Sequence, residues 1–297
     1  MNPNFFESDL LAIAPDRLAQ VIESRRVSLE VSDRINRTPT QHGAVDGKIA
    51  VIPVRGYISN HPSIWTDLGI ESSSEAIAHN VNQAVNDPAV GAVIMDIDSP
   101  GGTVYGLTSA AQAIYGSRGK KPLIAVANGL MASAAYFLGS AADEVIADPD
   151  SEVGSIGSVM VHVDASEFLE RNGYKVTVIR SDEKKFRGSP YEPLDEDTQK
   201  EFQDTVNRYA GMFRETVAKH RDKPVSDILA TFGQGSVLSA IEAKNVGMID
   251  RVSSMSEVID KLLGRWRSNR ARGRAVKNLN QAKQLMFRRQ PIRDCSV

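Results

Sequence analysis

Cysteine is almost absent: the chain of 297 residues has one, Cys295. No intrachain disulfide can form, so oxidation adds nothing to the fold, and a reducing compartment fits. The opening MNPNFFESDLLAIAPDRL has no basic start followed by a long apolar run, so no secretory signal is expected. Phosphate-loop (GxxxxGK[ST]) and dinucleotide (GxGxxG) patterns are missing. The five histidines and single cysteine form no cluster at metal-ligand spacing, so neither metal nor organic cofactor is expected. One stretch, 123–142, is uncharged for twenty residues, the length of a membrane span. It contains Asn128, two glycines and two serines, and reads instead as a buried strand, a turn at Asn128-Gly129 and a small-residue helix.

What is present is ordinary for a globular enzyme: 41% hydrophobic and 24% charged residues, which excludes disorder of the whole chain. The net charge of −2 hides a division. Residues 265–297 carry ten lysines and arginines against one aspartate, +9, which leaves −11 on the rest. Three regions are expected: an N-terminal arm and linker over 1–46, a catalytic domain over 47–263, and a basic tail over 264–297. In the arm, Pro15-Asp16 can open a short helix with Leu18, Val21 and Ile22 on one face, and the arm as a whole suits docking. The tail has no clean apolar period except Leu279–Phe287 and only two aromatics, so it reads as a solvated segment, with docking on an acidic protein surface or nucleic acid as the alternative.

Between these, apolar runs and helical periods alternate. Strands are expected at 48–54, 90–97, 123–127, 144–147, 158–163 and 175–179, with a last one after Asp250. Helices are expected at 74–86, 104–115, 133–141, 165–172, 195–220, 226–232, 239–245 and 256–263. The alternation predicts an α/β fold with a parallel sheet and helical crossovers, whose functional loops lie at the carboxyl ends of strands. Ser99-Pro100-Gly101-Gly102 and Ser133 both directly follow predicted strands and so belong on that edge.

These residues allow acyl transfer, which needs a nucleophile, a base and an oxyanion site. Ser133, at the start of a helix, is the nucleophile candidate. Gly101-Gly102 offers bare backbone for an oxyanion, with the Ala134 amide as second donor. For the base, His162 lies in an alternating run and reads better as a hydrogen-bonded structural histidine. A lysine enclosed over an apolar site could be neutral and take the proton, which makes Lys184 and Lys185 candidates, with Ser155 placed to hold the amine.

Four ordered motifs, MDIDSPGG (95–102), ANGLMASAAYFLGSAADEVIA (127–147), VGSIGSVMVHVD (153–164) and IRSDEKKFRGSPYEPLDED (179–197), resemble the signal peptide peptidase A family of serine–lysine proteases. Their likeness is strongest to its phage and prophage branch, the head-maturation or capsid-assembly proteases. The resemblance implies a fold similar to the Clp-type peptidase and crotonase superfamily. It implies Ser133 as nucleophile, Lys185 as general base, Ser155 as the residue that orients the lysine, and Gly102 and Ala134 as the oxyanion hole. Gly101, Thr103 and Val104 would then line an extended substrate. The implied substrates are phage scaffold, coat or portal proteins and the chain itself. The implied state is a homo-oligomer within the assembling procapsid in the host cytoplasm, off the membrane. Other readings are a catalytically silent assembly factor, a bacterial general protease of the same family, and an enoyl-CoA-hydratase-like enzyme, which a Ser/Lys pair disfavours.

Overall fold

The computed structural model describes residues 11–13 and 49–264. The expected arm helix after Pro15 and the basic tail lie outside the described residues. In chain order the elements are β1 (Leu11–Ile13), β2 (Ile49–Ser59), α1 (Ile64–Asp67), β3 (Ser72–Ser73), α2 (Ser74–Asn86), β4 (Ala92–Thr103), α3 (Leu107–Tyr115) and β5 (Leu123–Ala132). Then follow α4 (Ala134–Gly139), β6 (Glu144–Ala147), β7 (Glu152–Gly154), α5 (Ser166–Arg171), α6 (Glu196–Arg221), α7 (Val225–Thr231), β8 (Val237–Ser239), α8 (Ala240–Val246), β9 (Arg251–Val252) and α9, residues 255–264.

The sheet runs β3-β2-β4-β5-β6-β9, every pair along this path parallel. The expected α/β class with a parallel sheet is therefore what the chain adopts. The short strands β1 and β8 pair antiparallel, β1 on β4 and β8 on β7. The central strands are apolar on both faces because helices cover both. Val93, Met95, Ile97, Ala125 and Val145 pack under α2, α3, α4 and α6. Their alternates Ala92, Ile94, Ile124, Val126 and Ile146 pack under α9 through Val258 and Leu262.

Local sequence explains the helix ends. At α2 the Ser73 hydroxyl accepts the Ala76 N–H at 3.1 Å, and Ile77, Val81 and Val85 turn inward at helical spacing. Pro88 then holds Asp87 extended and stops the helix. At α6 Asp195 caps the first turn by accepting the Thr198 N–H at 2.7 Å. That bond, first among the causes, lowers the Asp195 carboxyl pKa.

Three expectations are corrected. Ser99-Pro100-Gly101-Gly102 does not leave the sheet: β4 continues to Thr103, because β2 and β1 both pair with its far end. Asn128-Gly129 is not a turn but an irregular step inside β5, where the register with β4 shifts between Ile97 and Ser99. No strand forms over 158–163 or 175–179. Their β-branched residues suit a pleated surface, yet β5 and β8 already take both edges of β7. Val161, Val163, Val176 and Ile179 are left exposed, and the N-terminal half of α6, with Phe202, Val206 and Tyr209, is only half-buried.

Candidate active site

Ser133 stands where β5 ends and α4 begins. Its backbone has φ 53° and ψ −119°, a conformation that costs a non-glycine residue on the order of 1–3 kcal/mol. The main chain is tied on both sides: Ser133 N–H donates to the Gly154 carbonyl at 2.7 Å, and its carbonyl accepts the Phe137 N–H at 2.8 Å. The hydroxyl is buried, caps nothing, and has no hydrogen-bond partner among the described residues. A buried hydroxyl left unpaired costs on the order of 1–3 kcal/mol. Strain and an unpaired polar atom thus coincide on one serine.

The surrounding backbone fixes this corner. Ala132 pairs with Gly154 across β5 and β7, so Ser133 and Ser155 follow at the same step. Ser155 also has positive φ, 55°, and its N–H donates to the Ser236 carbonyl at 2.8 Å. Ala134 is fully buried in the first turn of α4. Across β4, Ser99 pairs with Met131, which brings Gly101, Gly102 and Thr103 along the lane that β5 vacates at Ser133. Gly102 is demanded by packing, since a Cβ there would lie 1.9 Å from the Ile58 carbonyl oxygen. Val104 lies beyond the strand and packs partly against the core.

Lys185 lies on the segment between Ser155 and α6. Its side chain is exposed and lines a shallow groove with residues 176–181, Phe186 and Tyr191. No hydrogen bond joins it to Ser133 or Ser155. Lys184 is tied to Glu201, whose carboxyl pKa is lowered first by that hydrogen bond. His162 Nε2 meets the Ser189 carbonyl oxygen at 3.1 Å, the structural role expected of it, though not within a strand.

Two features escaped the sequence. The step in β5 before Ser133 is held by side chains: Leu130 N–H donates to Asp98 Oδ1 at 3.1 Å, and Gly129 N–H donates to Ser151 Oγ at 2.9 Å. Asp98 lies in the segment MDIDSPGG, but nothing in its spacing tells that its carboxylate faces β5. His220, near the end of a long helix, is buried against Ser140 Oγ, 2.9 Å away, and stacked on Tyr115. Burial, then Arg118, Lys219 and Arg221, push its pKa down to about 4. Among the described residues no three His, Cys, Asp or Glu side chains gather where they could hold a metal ion. No described helix is long and apolar enough to cross a membrane.

The chain is 29% identical to capsid assembly protease C of Escherichia phage lambda over 248 residues, 84% of this chain and 56% of that protein. It is 29% identical to head-tail preconnector protein GP5 of Enterobacteria phage P21 over 233 residues, 78% of this chain and 46% of that one. The chain thus spans about half the length of these curated relatives. A solved membrane-bound stomatin-specific protease with a substrate peptide is similar at TM-score 0.46 and 15% identity, over 73% of this chain and 80% of that one. ClpP1 from Listeria monocytogenes is similar at TM-score 0.41 and 16% identity, over 69% and 91%. The model of peptidase family S49 matches residues 117–264, a span that holds Ser133, Ser155 and Lys185. Residues 117–264 of this chain are a peptidase family S49 domain.

Proposed function

We propose that the chain is a serine endopeptidase that cleaves phage capsid-assembly proteins during head maturation. The observation that carries the reading is Ser133: a buried, unpaired hydroxyl on strained backbone, within the family S49 match. Such strain and unpaired polarity are costs that a purely structural serine has no reason to keep. In the reaction, Ser133 Oγ attacks the scissile carbonyl while the Lys185 amine takes its proton. The Gly102 and Ala134 amides hold the oxyanion, and the ammonium returns the proton to the leaving amine. Water then cleaves the acyl-enzyme by the same path. Ser155 orients the lysine, and Gly101, Thr103 and Val104 line the substrate.

This assignment requires the segment 156–191 to close on Ser133. Two properties support such a closure: its apolar side chains Val161, Val163, Val176, Ile179 and Phe186 are exposed, and the α6 surface beneath it is half-covered. Assembly into a homo-oligomer would bury these side chains and enclose the amine. The proposed substrates are scaffold, coat or portal proteins and the chain itself, by likeness to the two phage relatives. The proposed setting is the procapsid in the host cytoplasm. The proposed division is an arm (1–46), a peptidase domain (47–263) and a basic tail (264–297).

A second reading, a silent assembly factor, is favoured by one observation: Lys185 is exposed and gives the Ser133 hydroxyl no hydrogen bond. A fluorophosphonate probe separates the two. The peptidase reading expects one covalent adduct, mapped to Ser133 and much slower to form in Lys185→Ala. An unlabelled Ser133 in the assembled protein would favour the assembly factor.

A further inference from the structure

The short strand β1 lies in an informative place. It pairs antiparallel with the far end of β4, Leu11 opposite Thr103, Ala12 opposite Gly102 and Ile13 opposite Gly101. The opposite edge of β4 at these residues belongs to β2, where Tyr57 pairs with Gly101 and Ile58 with Gly102. β1 therefore occupies the lane of β5. That lane is filled by β5 up to Met131, opposite Ser99, and β5 leaves it at Ser133. Two residues further along β4, at Gly101, stands Ile13. At a rise of about 3.4 Å per residue, Ile13 is about 7 Å along the lane from Met131. Because β1 runs antiparallel, the chain arrives from Thr103 and heads toward the Ser133 end.

We propose that residues 11–13 of the N-terminal arm are a resident occupant of the peptide-binding edge of β4, so that a substrate strand has to displace the arm before reaching Ser133. The inference rests on the peptidase reading of Ser133 and adds an occupant and a direction to it. Recognition here is by main chain, as an added antiparallel strand on Gly101–Thr103, where any extended peptide can form the same ladder. The arm is held in cis: residues 14–48 link β1 to β2 in one chain, which gives β1 a high effective concentration at the edge. Activity is then reduced by the fraction of molecules whose edge is covered.

A disulfide between the opposed positions tests the seating. Leu11→Cys and Thr103→Cys, combined with Cys295→Ser in the full chain, place two thiols on directly opposed antiparallel residues, whose Cα atoms lie about 4.5–5.5 Å apart, within disulfide reach. Mild oxidation is expected to give an intramolecular cross-link, seen by intact mass as loss of two hydrogens. The oxidised protein should lose peptide hydrolysis and regain it on reduction. Ala12→Pro with Ile13→Pro, which removes a ladder donor, should raise kcat/KM on a long peptide by roughly threefold or more. Absence of the cross-link, a cross-link between two chains, or equal hydrolysis by oxidised and reduced protein would overturn the inference. If no form hydrolyses peptide and Ser133 resists a fluorophosphonate, the peptidase reading fails instead, while the cross-link still reports whether the arm is seated.

Discussion

Replacing Ser133 by alanine should stabilise the protein. In the native chain the Ser133 hydroxyl is buried without a partner, at 1% exposure. Removing it relieves a desolvation cost of about 1–3 kcal/mol, against which stands the loss of a few packing contacts by one oxygen. The net gain expected is about 1 kcal/mol. Ser133→Gly also relieves the backbone strain at φ 53°, again about 1–3 kcal/mol, but returns about 0.5–1 kcal/mol of chain entropy to the unfolded state. It should equal or exceed the alanine variant. Urea unfolding measures both as a higher midpoint at unchanged slope. A residue placed for chemistry rather than folding behaves this way, through the trade-off between stability and function. A midpoint lowered by about 1 kcal/mol or more in Ser133→Ala would show that the hydroxyl makes a stabilising bond, and would refute the reasoning.

Other changes probe the frame. Gly102→Ala puts a Cβ 1.9 Å from the Ile58 carbonyl oxygen, a backbone atom that cannot swing away, so thermal unfolding should drop by the equivalent of about 3 kcal/mol or more. Ser73→Ala removes the α2 cap and should cost about 1 kcal/mol in urea unfolding without changing its slope. His220 titrates near 4 when folded and near 6.5 when unfolded, so the unfolded chain binds its proton first. Stability from this residue is complete above pH 6.5 and lost as pH falls through 4, about 3 kcal/mol in all. His220→Gln should flatten that limb of the urea midpoint against pH, and an unchanged limb would show that another group causes it.

Much of this fold is legible because local signals and tertiary packing agree. Helix α2 begins and ends on the residues read for it, since Ser73 caps it, Asp87-Pro88 stops it, and its apolar face meets the sheet. The two runs at 158–163 and 175–179 misled because strand propensity needs a partner strand, and both edges of β7, the strand just before them, are taken by β5 and β8. The length of β4 was hidden for the opposite reason. Pro100, Gly101 and Gly102 look like a turn, but the missing Cβ of Gly102 is what lets Ile58 of β2 approach closely there. Of the candidate site, Ser133, Ala134, Ser155 and the glycines come together through strand register, which motif order reflects. Lys185 lies on a segment whose packing no local pattern encodes, and its side chain is exposed. His220 was unreadable because a helix of 26 residues buries its last turn only through contacts distant in sequence, with Ser140 and Tyr115.

The most direct measurement is intact mass of phage coat, scaffold and portal proteins after co-expression with wild type, Ser133→Ala, Lys185→Ala and Lys184→Ala. The account predicts discrete fragments with wild type and Lys184→Ala, and uncut proteins with Ser133→Ala and Lys185→Ala. Fragments that persist in Ser133→Ala, or uncut proteins with a fully assembled wild type, would contradict it.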